Sequence, residues 1–380
     1  MNYYYQSGVQ LVDTKAYYVL LSMVDGLGPR RLAALIELMG TAEKVWYASE
    51  SVLRSVPGIP AKVISSLLDK RKELNPESEV QKLADRGIGL VFIDEPEYPR
   101  ILKSIYDPPK VLYVRGKKNI LNEQMFAVVG SRRATHYGLT AARAIAGELS
   151  RVGLGIVSGM ARGIDSAAHR GALDSGGVTI AVLGCGVDVV YPRENRNIME
   201  EIIEKGAVIS EFPPGTSPVA GNFPQRNRLI SGLSCGVLVI EAAEKSGSLI
   251  TVNFALEQGR EVFAVPGQVT NKLNRGCHQL IRQGACLVEN AGDILEELGL
   301  IGTDKTLPKH DICCIRGNIY LTDEEKRVYN IISDDPISSE TIICKTGIRP
   351  SDVISMLLVM ELKGLVKQLP GQRYVRNVLD

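Results

Sequence analysis

Met125-Phe126-Ala127-Val128-Val129-Gly130-Ser131-Arg132-Arg133 decides the fold: five apolar residues in a row, then a glycine, a serine and two arginines. An unbroken apolar run of that length is too short for a helix and fits a strand covered on both faces, as in a parallel sheet. Helical spacing follows in Leu139–Val152, and the same phrase of strand, glycine-bearing loop and helix then recurs along the chain. Further strands are expected at Gly155–Val157, Thr179–Leu183, Ala207–Ser210, Val237–Ile240, Glu261–Val265 and Cys286–Val288. Helices are expected between them, at Ile164–Ser175, Arg196–Lys205 and Leu249–Gln258. Strands alternating with helices give a mostly parallel sheet with helices on both faces, an α/β, Rossmann-like domain from about Phe126 to Glu289.

Outside this stretch the pattern changes. Residues 1–75 read as short helices broken by glycine turns, with two similar phrases, Val24-Asp25-Gly26-Leu27-Gly28-Pro29-Arg30 and Val56-Pro57-Gly58-Ile59-Pro60-Ala61-Lys62. Such a pair resembles helix-hairpin-helix or SAM-like units, whose turns present backbone N–H groups to a phosphate. Plain turns of a small packing domain are the other reading. Residues 82–300 are expected to form the Rossmann-like domain with an N-terminal extension, in which Gly89–Ile93 reads as an edge strand. A linker is expected over 301–320 and a winged helix over 321–380. In the latter, Thr322 caps a first helix, Ser338–Cys344 and Ser351–Leu362 supply two more, and a hairpin follows from Gly364.

Composition limits the function. With 380 residues, 45% hydrophobic and 23% charged, the chain is long enough for two or three domains. It has no apolar run near the roughly 20 residues of a membrane helix. The first residues lack a signal-peptide pattern and the seven cysteines show no paired spacing, so a cytoplasmic setting is expected. A net charge of +1 supplies no global attraction for polyanions; any phosphate affinity must come from local cations.

Ligands of open parallel sheets bind beyond the carboxyl ends of the strands. The segments at those ends are Gly130-Ser131-Arg132-Arg133, Ser158-Gly159-Met160-Ala161-Arg162-Gly163, Gly184-Cys185-Gly186, Glu211-Phe212-Pro213-Pro214-Gly215, Lys245-Ser246-Gly247-Ser248 and Pro266-Gly267-Gln268. Glycine lets backbone approach an anion, a helix start offers free N–H groups, and arginine adds a permanent charge. The segment Asn222-Phe223-Pro224-Gln225-Arg226-Asn227-Arg228-Leu229-Ile230 sets arginines beside an aromatic ring, as a groove for phosphates and a stacked base would need. No loop has the full dinucleotide spacing. If about four phosphates are neutralised, log affinity for a single strand should fall with log salt at a slope near −3.

These motifs resemble the DNA-processing protein A (DprA, also called Smf) family. The likeness runs through Gly130-Ser131-Arg132, Ser158 to Asp165, Ala168-His169, Gly184-Cys185-Gly186, Tyr191-Pro192, Asn195 and Ser210-Glu211. It continues through Phe223 to Gly232, Glu241-Ala242, Ser246 to Thr251 and Val265-Pro266-Gly267. The resemblance implies a protein that binds and protects single-stranded DNA during natural transformation, loads the RecA recombinase on it, and dimerises through the Rossmann-like domain. It places Arg132, Ser158, Gly159, Arg226, Asn227, Arg228, Lys245 and Ser248 along the strand; the loop chemistry adds Gly130, Ser131, Arg162 and Phe223.

Catalysis is not expected. Ser158, Asp165 and His169 could suggest a triad, but Asp165 and His169 read better as a helix cap and a packing residue. Cys277-His278 and His310 with Cys313-Cys314 lack the spacing of a metal site, so neither metal nor cofactor is expected. The alternative is a Rossmann-like enzyme of the phosphoribohydrolase type, which cleaves nucleoside monophosphates. Glu257 would be its candidate acid, yet the helix after Ser246-Gly247-Ser248 has no acid in its first turns.

Overall fold

The computed structural model describes residues 15–300, 322–333, 335–362 and 365–376. They fall into two compact units: residues up to 133 with 142–291, and residues 134–141 with those from 292 onward. The expected linker, 301–320, lies outside the described residues, as do His310, Cys313, Cys314 and Gly364.

The first unit opens with helices at 15–22 (α1), Pro29–Met39 (α2), Ala42–Tyr47 (α3), Glu50–Arg54 (α4), Ala61–Glu73 (α5) and Pro76–Asp85 (α6). Gly26 and Gly58 take φ of 78° and 80°, the left-handed conformation that turns the chain ahead of α2 and α5. Leu20, Leu35, Trp46, Leu53 and Leu67 belong to a core cluster of these helices. The segment is tied to the rest of the unit by Ser22 to Tyr113 at 2.6 Å, and by Arg30 to Asp107 at 3.3 Å.

A sheet of nine strands follows. Its members are Gly89–Phe92 (β1), Val111–Gly116 (β2), Met125–Val129 (β3), Gly155–Ser158 (β4), Thr179–Val182 (β5), Ala207–Ser210 (β6), Gly236–Val239 (β7), Glu261–Ala264 (β8) and Cys286–Leu287 (β9). The order is β1-β2-β6-β5-β4-β3-β7-β8-β9. β1 and β2 run antiparallel, and the strands from β6 to β9 pair in parallel. All five residues of β3 are buried, so the covering on both faces that its apolar run implied is present. Every expected strand exists, with ends within about a residue. β2 had not been anticipated; its Val111-Leu112-Tyr113-Val114 is buried and pairs with β6 across the edge of the parallel set.

Between the strands lie Arg100–Lys103 (α7), His136–Arg151 (α8), Ile164–Asp174 (α9), Arg196–Lys205 (α10), Asn222–Gly232 (α11), Ser248–Glu257 (α12) and Arg275–Arg282 (α13). The chain winds from β3 to β6 in one direction, then returns to place β7 on the other side of β3. That reversal creates the crevice of a doubly wound fold.

The second unit holds Ala291–Glu297 (α14), Asp323–Ile331 (α15), Ile337–Ser338 (β10), Ser339–Thr346 (α16), Pro350–Leu362 (α17) and the hairpin Val366–Leu369 (β11) with Arg373–Arg376 (β12). Thr322 caps α15 in a capping box with Glu325, as the sequence implied. Val328, Ile342, Val353, Leu357 and Tyr374 form its core, and the arrangement of helices, hairpin and short β10 is a winged helix.

Candidate functional site

The segments beyond the ends of β3, β4 and β5 meet the start of α11 over the carboxyl ends of the strands, beside the reversal in strand order. A shallow cavity of about 60 Å³ opens there. Its walls are Arg132, the Gly159–Arg162 loop, Leu183 to Cys185, Tyr191, Pro192, Phe223 and Arg226. Phe223 is half-buried, its ring centroid 5.6 Å from that of Tyr191 with 32° between planes. The guanidinium of Arg132, itself exposed, lies 5.4 Å from the Phe223 centroid. One wall therefore offers flat apolar surface and the rim offers charge, which suits a planar, anionic ligand.

Arg226 makes the floor. It is 3% exposed and donates from Nη1 to the carbonyls of Gly159, at 2.7 Å, and Val182. Burial pulls its pKa down to about 10, opposed by the nearby Asp165 carboxylate, so it remains a cation at neutral pH. Asp165 is buried as well; burial raises its pKa, and Arg226 acts in the opposite sense. A Cβ on Gly159 would stand 2.7 Å from both Arg226 Nη2 and Asp165 Oδ2, so only glycine lets this floor close. The next residue, Met160, sits at φ 58°, a strained value for a side-chain-bearing residue, and its carbonyl is held by Asn195 Nδ2 at 2.8 Å.

Arg226 and Arg228, which the resemblance sets along the strand, are both buried. Arg228 points away from the cavity into a buried ion pair with Glu211, each side chain 7% exposed, and its Nε lies 3.5 Å from Asp107. Removing Arg228 would leave the buried Glu211 carboxylate without this partner. Consecutive odd or even positions on a helix do not share a face, so Arg226 and Arg228 must serve different surroundings.

The remaining candidates flank or underlie the cavity. Ser158 is fully buried and donates to Val128 O at 2.6 Å; Ser131 Oγ accepts from Arg133 N at 3.1 Å; Ser248 pairs with Ser246 at 2.8 Å. These hydroxyls shape their loops. Asn227 Nδ2 donates to Gly247 O at 3.3 Å, fastening α11 to the turn before α12. Gly130 packs closely against Ile164, and Lys245 is exposed in its loop. The structure thus gathers Arg132, Gly159, Arg162, Phe223 and Arg226 around one cavity, while Gly130, Ser131, Ser158, Asn227, Arg228, Lys245 and Ser248 lie outside its lining. Tyr191 and Pro192 line it although they were not singled out as site residues. The available signal was an aromatic-proline pair just beyond the glycine loop of β5.

Ser158, Asp165 and His169 do not assemble. His169 is fully buried with Nδ1 2.7 Å from Thr179 Oγ1; that hydroxyl gives its proton to Ile156 O at 2.7 Å, so the ring proton sits on Nδ1. Burial pushes the His169 pKa down to about 3. The packing role fits. Asp165 is not the cap of α9, a position held by Gly163; its carboxylate accepts instead from Ala161 N at 3.2 Å. Glu257 ends α12 in an exposed position, and the helix has no acid in its first turn. Among the described residues no cluster of three His, Cys, Asp or Glu side chains could hold a metal ion, and no helix is long and apolar enough to cross a membrane.

The sequence profile of the DNA recombination-mediator protein A family matches residues 89–299, and that of the DprA winged helix domain matches 319–372. Protein Smf of Synechocystis is 35% identical over 96% of this chain and 99% of its own length. Among solved structures, DNA processing protein A of Streptococcus pneumoniae superposes with a TM-score of 0.66 at 35% identity, covering 74% of this chain and 97% of that one. The Helicobacter pylori protein of that name, whose structure is described as revealing a unique single-stranded DNA binding mode, gives 0.51 at 31% identity over 56% and 96%.

Proposed function

This chain belongs to the DNA recombination-mediator protein A (DprA/Smf) family, and from that premise we propose that the rim over β3, β4 and β5 is a track for single-stranded DNA. The observation that carries the reading is the joint placement of exposed Arg132 and Arg162 around the Phe223–Tyr191 wall. Phosphates would meet the guanidinium groups and a base would lie against the rings. Lys245 extends the charge, while Arg226, Arg228, Ser158 and Ser248 hold the loops in shape beneath the strand. The protein then protects the strand and loads RecA recombinase onto it, without catalysing a reaction, and works as a homodimer through its Rossmann-like domain. The chain divides for this task into the helical segment, the α/β domain and the winged helix.

A titration of labelled single- and double-stranded oligonucleotides of one sequence, at low and at physiological salt, tests the central claim. Single strands should bind more tightly. With Arg226 and Arg228 internal, three of the cations assigned to the strand remain exposed, Arg132, Arg162 and Lys245, and about 0.7 per contact gives a slope of log affinity against log salt near −2. Equal affinity for both forms, or a flat salt response, refutes the reading.

A further inference from the structure

We propose that Glu194 is a resident competitor for the phosphate position at Arg162, so that a strand must displace this carboxylate to engage the rim fully. The inference rests on the reading of the cavity as a strand-binding site. Arg162 lines the cavity, yet its Nε donates to the Glu194 carboxylate, with the two side chains 65% and 49% exposed. Arg132, the other exposed guanidinium of the cavity, makes no ion pair among the described residues and lies against Phe223 instead. One cation is therefore presented open and the other already occupied.

The pairing is built into the backbone around it. Glu194 is the middle residue of the short 3₁₀ turn Arg193–Asn195, entered through Pro192, which also lines the cavity. Asn195 is 6% exposed and donates from Nδ2 to Met160 O at 2.8 Å and to Ser166 Oγ at 2.9 Å. Met160 and Ser166 bracket Arg162 in sequence, so the turn bearing the carboxylate is fastened to the segment bearing the cation. The hydrogen bond between them raises the Arg162 pKa and lowers that of Glu194, so both groups stay charged. A carboxylate and a phosphodiester offer a guanidinium the same pair of acceptor oxygens, which makes one exchangeable for the other. Because the pair is bathed in water it is weak, and exchange lowers affinity by a modest factor without closing the site. The consequence is a strand held loosely enough to be passed on.

The test uses the full chain, a labelled oligothymidylate and fluorescence anisotropy, with Glu194→Gln, Arg162→Gln and the double variant. Glu194→Gln should tighten binding about two- to fivefold at low salt, the size expected of an exposed ion pair, and lose that gain at high salt. In the Arg162→Gln background the same change should do nothing. An unchanged affinity for Glu194→Gln overturns the proposal. So does a gain that persists without Arg162, which would mean that the carboxylate repels the strand directly. Were the unaltered chain to show no salt-dependent binding at all, the strand reading itself would fail, an outcome distinct from binding that Glu194→Gln leaves unchanged.

Discussion

Arg228 carries its charge inside the protein, against a Glu211 that is equally 7% exposed and whose Oε1 has no hydrogen-bond partner among the described residues. Arg228→Met keeps the volume and removes the cation, leaving Glu211 buried beside Asp107. Uncompensated buried charges of this kind cost about 3–5 kcal/mol. With a denaturant slope of about 2–3 kcal/mol per molar, the urea midpoint followed by circular dichroism should fall by about 1–2.5 M. The deficit should depend on pH. Burial already holds the Glu211 carboxyl above its ordinary value, with Arg228 opposing, so losing Arg228 raises it further. A raised folded-state value favours the protonated form; the stability it contributes is present at low pH and lost as pH rises through that value. Arg228→Met should thus be hurt more on the alkaline than on the acid side of neutrality. Adding Glu211→Met removes the stranded carboxylate, and the double variant should recover most of the loss, since apolar pairs of similar volume often replace buried ion pairs at little cost. A single variant within about 0.5 kcal/mol of the parent, as at a surface site, refutes the reasoning. So does a double variant whose loss equals the sum of the two singles. The recovered double variant should also keep its affinity for single-stranded DNA and its salt slope; a slope shallower by about 0.7 would put Arg228 on the strand after all.

Three further outcomes follow from the same geometry. Phe223→Ala should cost about 1–3 kcal/mol of single-strand affinity if a base stacks there, and Phe223→Trp should retain it; equal binding by all three in a fluorescence titration would remove the aromatic wall from the site. Arg132→Ala should weaken binding to every sequence alike and reduce the salt slope by about 0.7, with the unfolding midpoint unmoved because the side chain is exposed; a sequence-selective loss in gel shifts would contradict backbone recognition. His169, neutral when folded because burial depresses its pKa to about 3, gives stability that is full above its unfolded value and lost as pH falls toward 3. Between pH 7 and 5 that loss should be about 2 kcal/mol, and the pH slope in urea unfolding should be shallower in His169→Gln; identical slopes would sink the assignment.

The sheet was legible because its strands are buried on both faces and so read as short apolar runs. Met125–Val129 and Ala207–Ser210 appear with the bounds the sequence suggested. β2 escaped because Val111-Leu112-Tyr113-Val114 follows Pro108-Pro109 and its place is set by an antiparallel register with β6, a pairing about a hundred residues distant that no local pattern encodes. The glycine loops of the rim were legible for the reason the strands were: turn chemistry is local, and a loop between a buried strand and a helix can be found by its flanks.

What the sequence could not assign was the side to which each arginine of α11 turns. The carbonyls that hold Arg226 belong to Gly159 and Val182, 67 and 44 residues earlier, so its burial follows from the closed sheet and from nothing in its neighbourhood. The spacing did carry one constraint, that residues two apart on a helix face different surroundings, so Arg226 and Arg228 could not both have faced one strand. With both internal, the rim keeps few exposed cations, and one of these is paired with Glu194. Under the proposed function, charge alone then gives only a shallow salt dependence, and the aromatic wall and the glycine-shaped backbone must supply the larger share of the affinity. The two buried arginines serve that share, because they fix the loops against which a base and its phosphate would have to fit.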